Sequence, residues 1–223
     1  MAGDGIGERT LRFDAAGVTL DGDLCVPDRA RGVVAFAHGG GSSRHSPRNR
    51  HVAAGLRATG FATLLVDLLT EEETRIDLHT REFRFDIPRL SARLTAVVDW
   101  LGTHVELPDA LFGASTGAAA ALTTAADRPE RVRGVVSRSG RPDLAGAALR
   151  RVGAPTLLIV GGHDRLVLEL NRRAAKCIPG PVEVAVVPGA THLFEEAGAL
   201  DDVIDLATTF LARWIDGQPR DQA

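Results

Sequence analysis

Two cysteines are all that the 223 residues contain, Cys25 and Cys177. They stand in the apolar contexts DLCVP and AAKCIP, in no CxxC and beside no histidine at metal spacing. Both are expected to be buried free thiols, which excludes a disulfide framework and a cysteine-based zinc site. No stretch of about 18 uninterrupted apolar residues occurs, so no membrane span is expected. The opening MAGDGIGERT lacks the apolar core of a secretion leader, and a cytoplasmic location is the expectation. Charge of one sign is lacking too: 26 Lys and Arg stand against 29 Asp and Glu, a net of -3 with no basic block. That excludes the usual electrostatic footprint of a nucleic-acid binder. Internal repeats are missing, and the scattered histidines form no metal site.

What is there reads as one domain over residues 1–223, with 44% hydrophobic and 25% charged residues and a mean hydropathy near zero. The ends, 1–8 and 216–223, carry no periodicity and are expected to fray. Residues 11–13 and 18–25, joined through Ala16-Gly17, predict an antiparallel pair. Short apolar runs at 33–37, 62–66, 110–112, 132–137, 156–160 and 182–187 predict buried strands, about eight in all. Ile87, Leu90, Leu94, Val97, Val98 and Leu101 fall on one helical face, with Asp86 placed to cap and Pro88 in the first turn. Val203 through Trp214 repeats the spacing. This alternation predicts an α/β fold, a mostly parallel sheet flanked by helices on both faces. Asp67 to about Phe85 reads as a long irregular loop able to cover a site.

The chemistry concentrates at strand ends. Gly113-Ala114-Ser115-Thr116-Gly117 follows the strand ALF and precedes the Ala-rich segment AAAALTTAA, which is G-x-S-x-G in its strand-turn-helix context. Such a turn lifts the serine hydroxyl above the sheet at a helix N-terminus, where free amides favour developing negative charge. The alternative is a plain tight turn. The run 156–160 ends in Gly161-Gly162-His163-Asp164, and the run 182–187 ends in Pro188-Gly189-Ala190-Thr191-His192. Nucleophile, acid and base then follow in the chain order Ser115, Asp164, His192. Taken singly, Asp164 reads equally well as a helix N-cap and His192 as a surface residue. Asp143 is the rival acid, and His163 reads as a solvated neighbour.

After the strand VVAFA comes His38-Gly39-Gly40-Gly41-Ser42-Ser43, at the place that supplies a second oxyanion donor. The backbone amides of Thr116 and Gly40 are the expected donors, with Gly41 as the substitute, and His38 is expected to brace the loop. Gly41, Arg44 and Arg48 are candidates for substrate contact. Arg44, Arg48 and Arg50, with Arg75, Arg81 and Arg84 from the second loop, ring the expected pocket mouth. They are suited to an anionic group, or else they pair with surface carboxylates.

Together HGGGSS, GASTG, GGHD and GATHLF resemble the α/β-hydrolase superfamily, in particular its small dienelactone hydrolase-like members, over nearly the whole chain. The resemblance implies a serine-dependent ester or thioester hydrolase needing no cofactor and no metal. It departs from dienelactone hydrolase itself, which carries cysteine where Ser115 stands, and from the dehalogenases and epoxide hydrolases, which carry aspartate. The segments HGGGSSRHSPRNR, LLVDLLTEEE and TREFRFDI resemble a subgroup often fused to phosphoribosyltransferases, though no such domain lies in these residues. Only residues 138–155 separate the strands that usually hold a lid domain, so no large lid is expected and the site should admit small acyl groups. Two other readings stay open: a catalytically silent binding module on the same fold, and acyl transfer by the same triad. Oligomeric state is unreadable here.

Overall fold

A computed structural model describes residues 7–216. The chain opens with a hairpin, Gly7–Ala15 (β1) against Val18–Val26 (β2), paired antiparallel with Ala15 opposite Val18. Ala16 and Gly17 both take positive φ (49° and 82°) at the turn, the backbone that a two-residue hairpin loop demands. Six further strands follow: Val33–Ala37 (β3), Ala62–Val66 (β4), Asp109–Ala114 (β5), Val132–Arg138 (β6), Thr156–Gly161 (β7) and Val182–Val187 (β8). They build one 8-stranded sheet in the order β1-β2-β4-β3-β5-β6-β7-β8. β2 meets β4 antiparallel, and every pair from β4 to β8 is parallel.

Among the described residues five helices cover the sheet. Pro47–Ala58 (α1) and Ala199–Asp216 (α6) pack on one face, where Val52, Leu56, Val203, Phe210 and Leu211 bury against Val34, Phe36 and Phe112. The opposite face takes Ile87–His104 (α3), Thr116–Asp127 (α4) and Arg165–Ala175 (α5) against Val33, Ala35, Leu64 and Leu111. Alternate residues of a strand thus enter opposite cores, which is why these strands are apolar throughout rather than alternating. α3 begins as its sequence predicts, with the Asp86 carboxylate accepting from the Arg89 amide and Pro88 in the first turn. Each of its fully buried side chains, Leu94, Val97, Val98 and Leu101, contributes about 1.5–3 kcal/mol by leaving water. Short 3₁₀ turns span Pro142–Arg151 and leave no room for a lid domain between β6 and β7.

Three expectations are corrected. Gly7 and Glu8 are not frayed; they pair with Val26 and Cys25 in β1, and α6 runs to Asp216, while residues 1–6 and 217–223 lie outside the described residues. The stretch 67–85 is not an irregular loop. It holds a helix, Glu71–Thr80 (α2), and a 3₁₀ turn, Phe83–Phe85. A capping box starts α2, Thr70 and Glu73 exchanging side-chain and backbone bonds of 2.9 and 3.2 Å. Its one buried residue is Asp77, so no apolar stripe marks it in the sequence. Finally, Cys25 is buried but Cys177 is exposed, because Ile178 takes the core position beside it.

Candidate active site

Ser115 joins β5 to α4 with φ 50° and ψ −120°. A non-glycine residue there carries roughly 1–3 kcal/mol of backbone strain, and neighbouring chains hold it. The Ser115 amide donates to the Arg138 carbonyl at 3.2 Å, and the Arg141 and Ala118 amides donate to the Ser115 carbonyl at 2.9 and 3.2 Å. A Cβ at Gly117 would stand 2.1 Å from the Ala37 carbonyl oxygen, so the turn closes this tightly only with glycine there. Ser115 occupies the N-cap position of α4, yet its side chain makes no capping bond. The hydroxyl is therefore not spent on the helix.

Asp164 likewise stands at the N-cap of α5 without capping it. Its Oδ2 instead lies 2.6 Å from Nδ1 of His192, with the aspartate side chain 14% exposed and the imidazole 40%. A carboxylate at Nδ1 keeps the ring proton on that nitrogen and leaves Nε2 as the ring's acceptor. Backbone bonds between the two loops fix this approach: the His163 amide donates to the Ala190 carbonyl at 3.0 Å and Gly162 to Val187 at 2.9 Å. Phe194, 1% exposed at φ 54°, anchors the loop in the α6-side core two residues beyond the imidazole. Asp143, the rival acid, has both carboxylate oxygens on Arg141 at 2.8 and 2.7 Å. His163 is exposed to solvent.

The loop after β3 packs directly on the elbow. A Cβ at Gly39 would fall 2.9 Å from Ser115 Cβ, and one at Gly40 would fall 2.6 Å from Arg84 Cβ and Cδ. Gly41 has φ 75°. Thr116 opens α4, where backbone amides have no acceptor within the helix. Gly39, Gly40, Gly41 and Thr116 form one side of a cavity of about 740 Å³, whose other walls include Leu68, Leu69, Leu78 and Leu90. Ser115, Asp164 and His192 are not on its wall; the glycine loop and Thr116 connect it to the elbow.

The arginines are largely matched by carboxylates. Arg44 lines the cavity with its guanidinium on Asp67 and, at 3.6 Å, Asp23, while its amide donates to Asp67 at 2.7 Å. Arg84 holds Asp77 at 2.7 Å, and Arg48 holds Glu195 at 3.1 Å away from the cavity lining. Arg50 reaches the Arg44 carbonyl and His45. Among the described residues, no cluster of three or more His, Cys, Asp or Glu side chains is arranged to hold a metal ion. No helix among them is long and apolar enough to cross a membrane.

Sequence reasoning passes over three residues here. Phe194 is signalled only by the last letter of GATHLF. Asn49 and Arg138 are polar types that read as surface residues, yet they are buried at 1% and 8% exposure.

Comparison with known proteins agrees with this architecture. The sequence pattern of the alpha/beta hydrolase fold matches residues 32–154. A dienelactone hydrolase of Anabaena variabilis is 50% identical, superposes with a TM-score of 0.91, and covers 94% of this chain and 98% of its own. Est1E of Butyrivibrio proteoclasticus shares the fold at 16% identity and a TM-score of 0.78, over 93% of this chain and 99% of its own. Two curated proteins of Mycobacterium tuberculosis, provisionally named phosphoribosyl transferases, are 59% identical over 203 residues, 90% of this chain. The chain spans 45% of their length.

Proposed function

Since the chain belongs to the α/β-hydrolase fold family, on its dienelactone hydrolase-like branch, we propose that it is a serine hydrolase cleaving small esters or thioesters through an acyl-enzyme. The observation that carries this reading is the 2.6 Å contact of Asp164 Oδ2 with His192 Nδ1, made by a carboxylate that leaves its helix uncapped to make it.

In this mechanism Ser115 Oγ attacks the acyl carbon while His192 Nε2 takes its proton, and the carbonyl electron pair moves onto oxygen. The Thr116 and Gly40 amides donate to that oxyanion. Collapse expels the alcohol or thiol, which receives the proton from His192. Water then repeats the sequence on the acyl-enzyme, releasing the acid and restoring Ser115. Asp164 orients the ring and stabilises the imidazolium.

The cavity beside Gly39–Gly41 is the place for the acyl group, and its volume of about 740 Å³ falls in the range of small-molecule sites. Gly41 and Arg44 would border the substrate there. Arg44 and Arg84 are matched by Asp67 and Asp77, so an anionic group at either would have to compete with a carboxylate, whereas Arg75 on the same cavity wall meets no carboxylate among the described residues and is the arginine suited to an anionic substrate. The test is turnover of p-nitrophenyl acetate: an initial burst with the native chain, and a fall to the uncatalysed background with Ser115→Ala.

A further inference from the structure

The glycine loop has a buried clamp. His38 follows directly on β3, Gly39-Gly40-Gly41 come next, and Asn49 lies in the first turn of α1 with its side chain turned back toward the loop. Its Nδ2 donates to His38 Nδ1 at 2.8 Å and to Ser42 Oγ at 3.1 Å. Its Oδ1 accepts from Arg138 Nη2 at 3.2 Å. One amide thus ties the residue before the three glycines, the residue after them, and the end of β6.

We infer that Asn49 is a positioning residue that pins both ends of the Gly39–Gly41 loop, so that the Gly40 amide is fixed before substrate arrives. This rests on the hydrolytic reading above. Three consecutive glycines have more backbone freedom than any other tripeptide, and an oxyanion donor is effective only when it needs no rearrangement during the reaction. The loop supplies little restraint of its own beyond the turn bond from the Ser42 amide to the Gly39 carbonyl at 3.1 Å.

The chemistry of the clamp permits one orientation. Arginine can only donate, so Arg138 must face Oδ1, which turns both Nδ2 protons toward His38 and Ser42. His38 must then accept at Nδ1 and carry its proton on Nε2. Burial, followed by the charges of Arg138 and Arg44, pushes the imidazole down to about 3, so it stays neutral and able to accept. Arg138 is itself buried and meets no carboxylate among the described residues; Asn49 Oδ1 is the acceptor it reaches. Burial lowers it to about 10, which leaves it cationic at neutral pH and a firm anchor for the amide.

The experiment compares the native chain with Asn49→Asp and Asn49→Ala. The first keeps an acceptor for Arg138 and loses both donors; the second loses the clamp. Ser42→Ala removes a single tie and serves if neither variant folds. With p-nitrophenyl acetate, kcat should fall about 10- to 100-fold with KM within about threefold, the pattern of a lost transition-state interaction. By NMR, amide hydrogen exchange at Gly39–Gly41 should quicken about tenfold or more in a chain that still melts cooperatively. A variant that only melts earlier, with native kcat well below its melting point and native exchange at Gly39–Gly41, overturns the inference. If the native chain shows no Ser115-dependent turnover, the hydrolytic reading fails instead. Exchange then decides the clamp alone, unchanged rates refuting it and faster rates supporting it.

Discussion

Asp164 stands at the N-cap of α5 and gives its carboxylate to His192, 28 positions along the chain, rather than to the helix beneath it. A cap is typically worth about 1 kcal/mol, and forgoing it calls for a stronger use of the charge. The adjacent loop supports that use, with Phe194 buried and backbone bonds from His163 and Gly162 holding the two strand ends together.

The first prediction concerns that carboxylate. Asp164→Asn preserves shape but presents an amide to Nδ1, favouring the wrong tautomer of His192. Steady-state kinetics should show kcat lowered by about 10³- to 10⁴-fold. Asp143→Asn, whose carboxylate is bound to Arg141, should stay within about twofold of native; the reverse pattern would exchange the roles of the two acids.

The second concerns the glycine loop. Gly40→Ala forces a methyl group to 2.6 Å from Cβ and Cδ of Arg84, so the loop must shift away from Arg84. A displaced oxyanion donor should lower kcat by about 10²-fold with KM little changed. Native kcat in a folded Gly40→Ala chain would move the donor to another amide.

The third concerns stability. Glu73 bridges the Thr70 cap to the buried Arg93, with bonds of 2.6 and 2.8 Å. The hydrogen bond from Arg93, against an opposing contribution from burial, pulls its carboxyl down from 4.5 to about 2. A lowered value means stability present above pH 4.5 and lost as pH falls from there toward 2. Urea unfolding should therefore find Glu73→Gln about 2 kcal/mol less stable at pH 7. The gap to the native chain should narrow across that acid window. A constant gap would show that Glu73 acts through shape rather than charge.

The strands β3 and β4 fall at the residues that apolar runs predict, because a strand buried on both faces has no polar register to confuse its limits; β8 has the predicted limits too, but as the edge strand it buries only Val187, which corrects the expectation of a buried strand there. α2 escapes such reading for the opposite reason: it buries a carboxylate, Asp77, and turns the rest toward solvent. α1 does carry a helical stripe at Asn49, Val52, Ala53 and Leu56, but its first place is held by an asparagine. At the site, Ser115, Asp164 and His192 are legible as residue types at strand ends in a fixed order. Their supports are not, since Asn49 and Arg138 look like surface residues until the fold brings them together. Charge pairing is equally hidden, as Arg48 meets Glu195 only across the folded chain.

The most direct measurement of the central claim is mass spectrometry of the native chain after reaction with a fluorophosphonate probe. An activated serine should yield one adduct, on the peptide holding Ser115, lost in Ser115→Ala and strongly slowed in His192→Ala. Labelling at another residue with Ser115 unmodified would contradict the account.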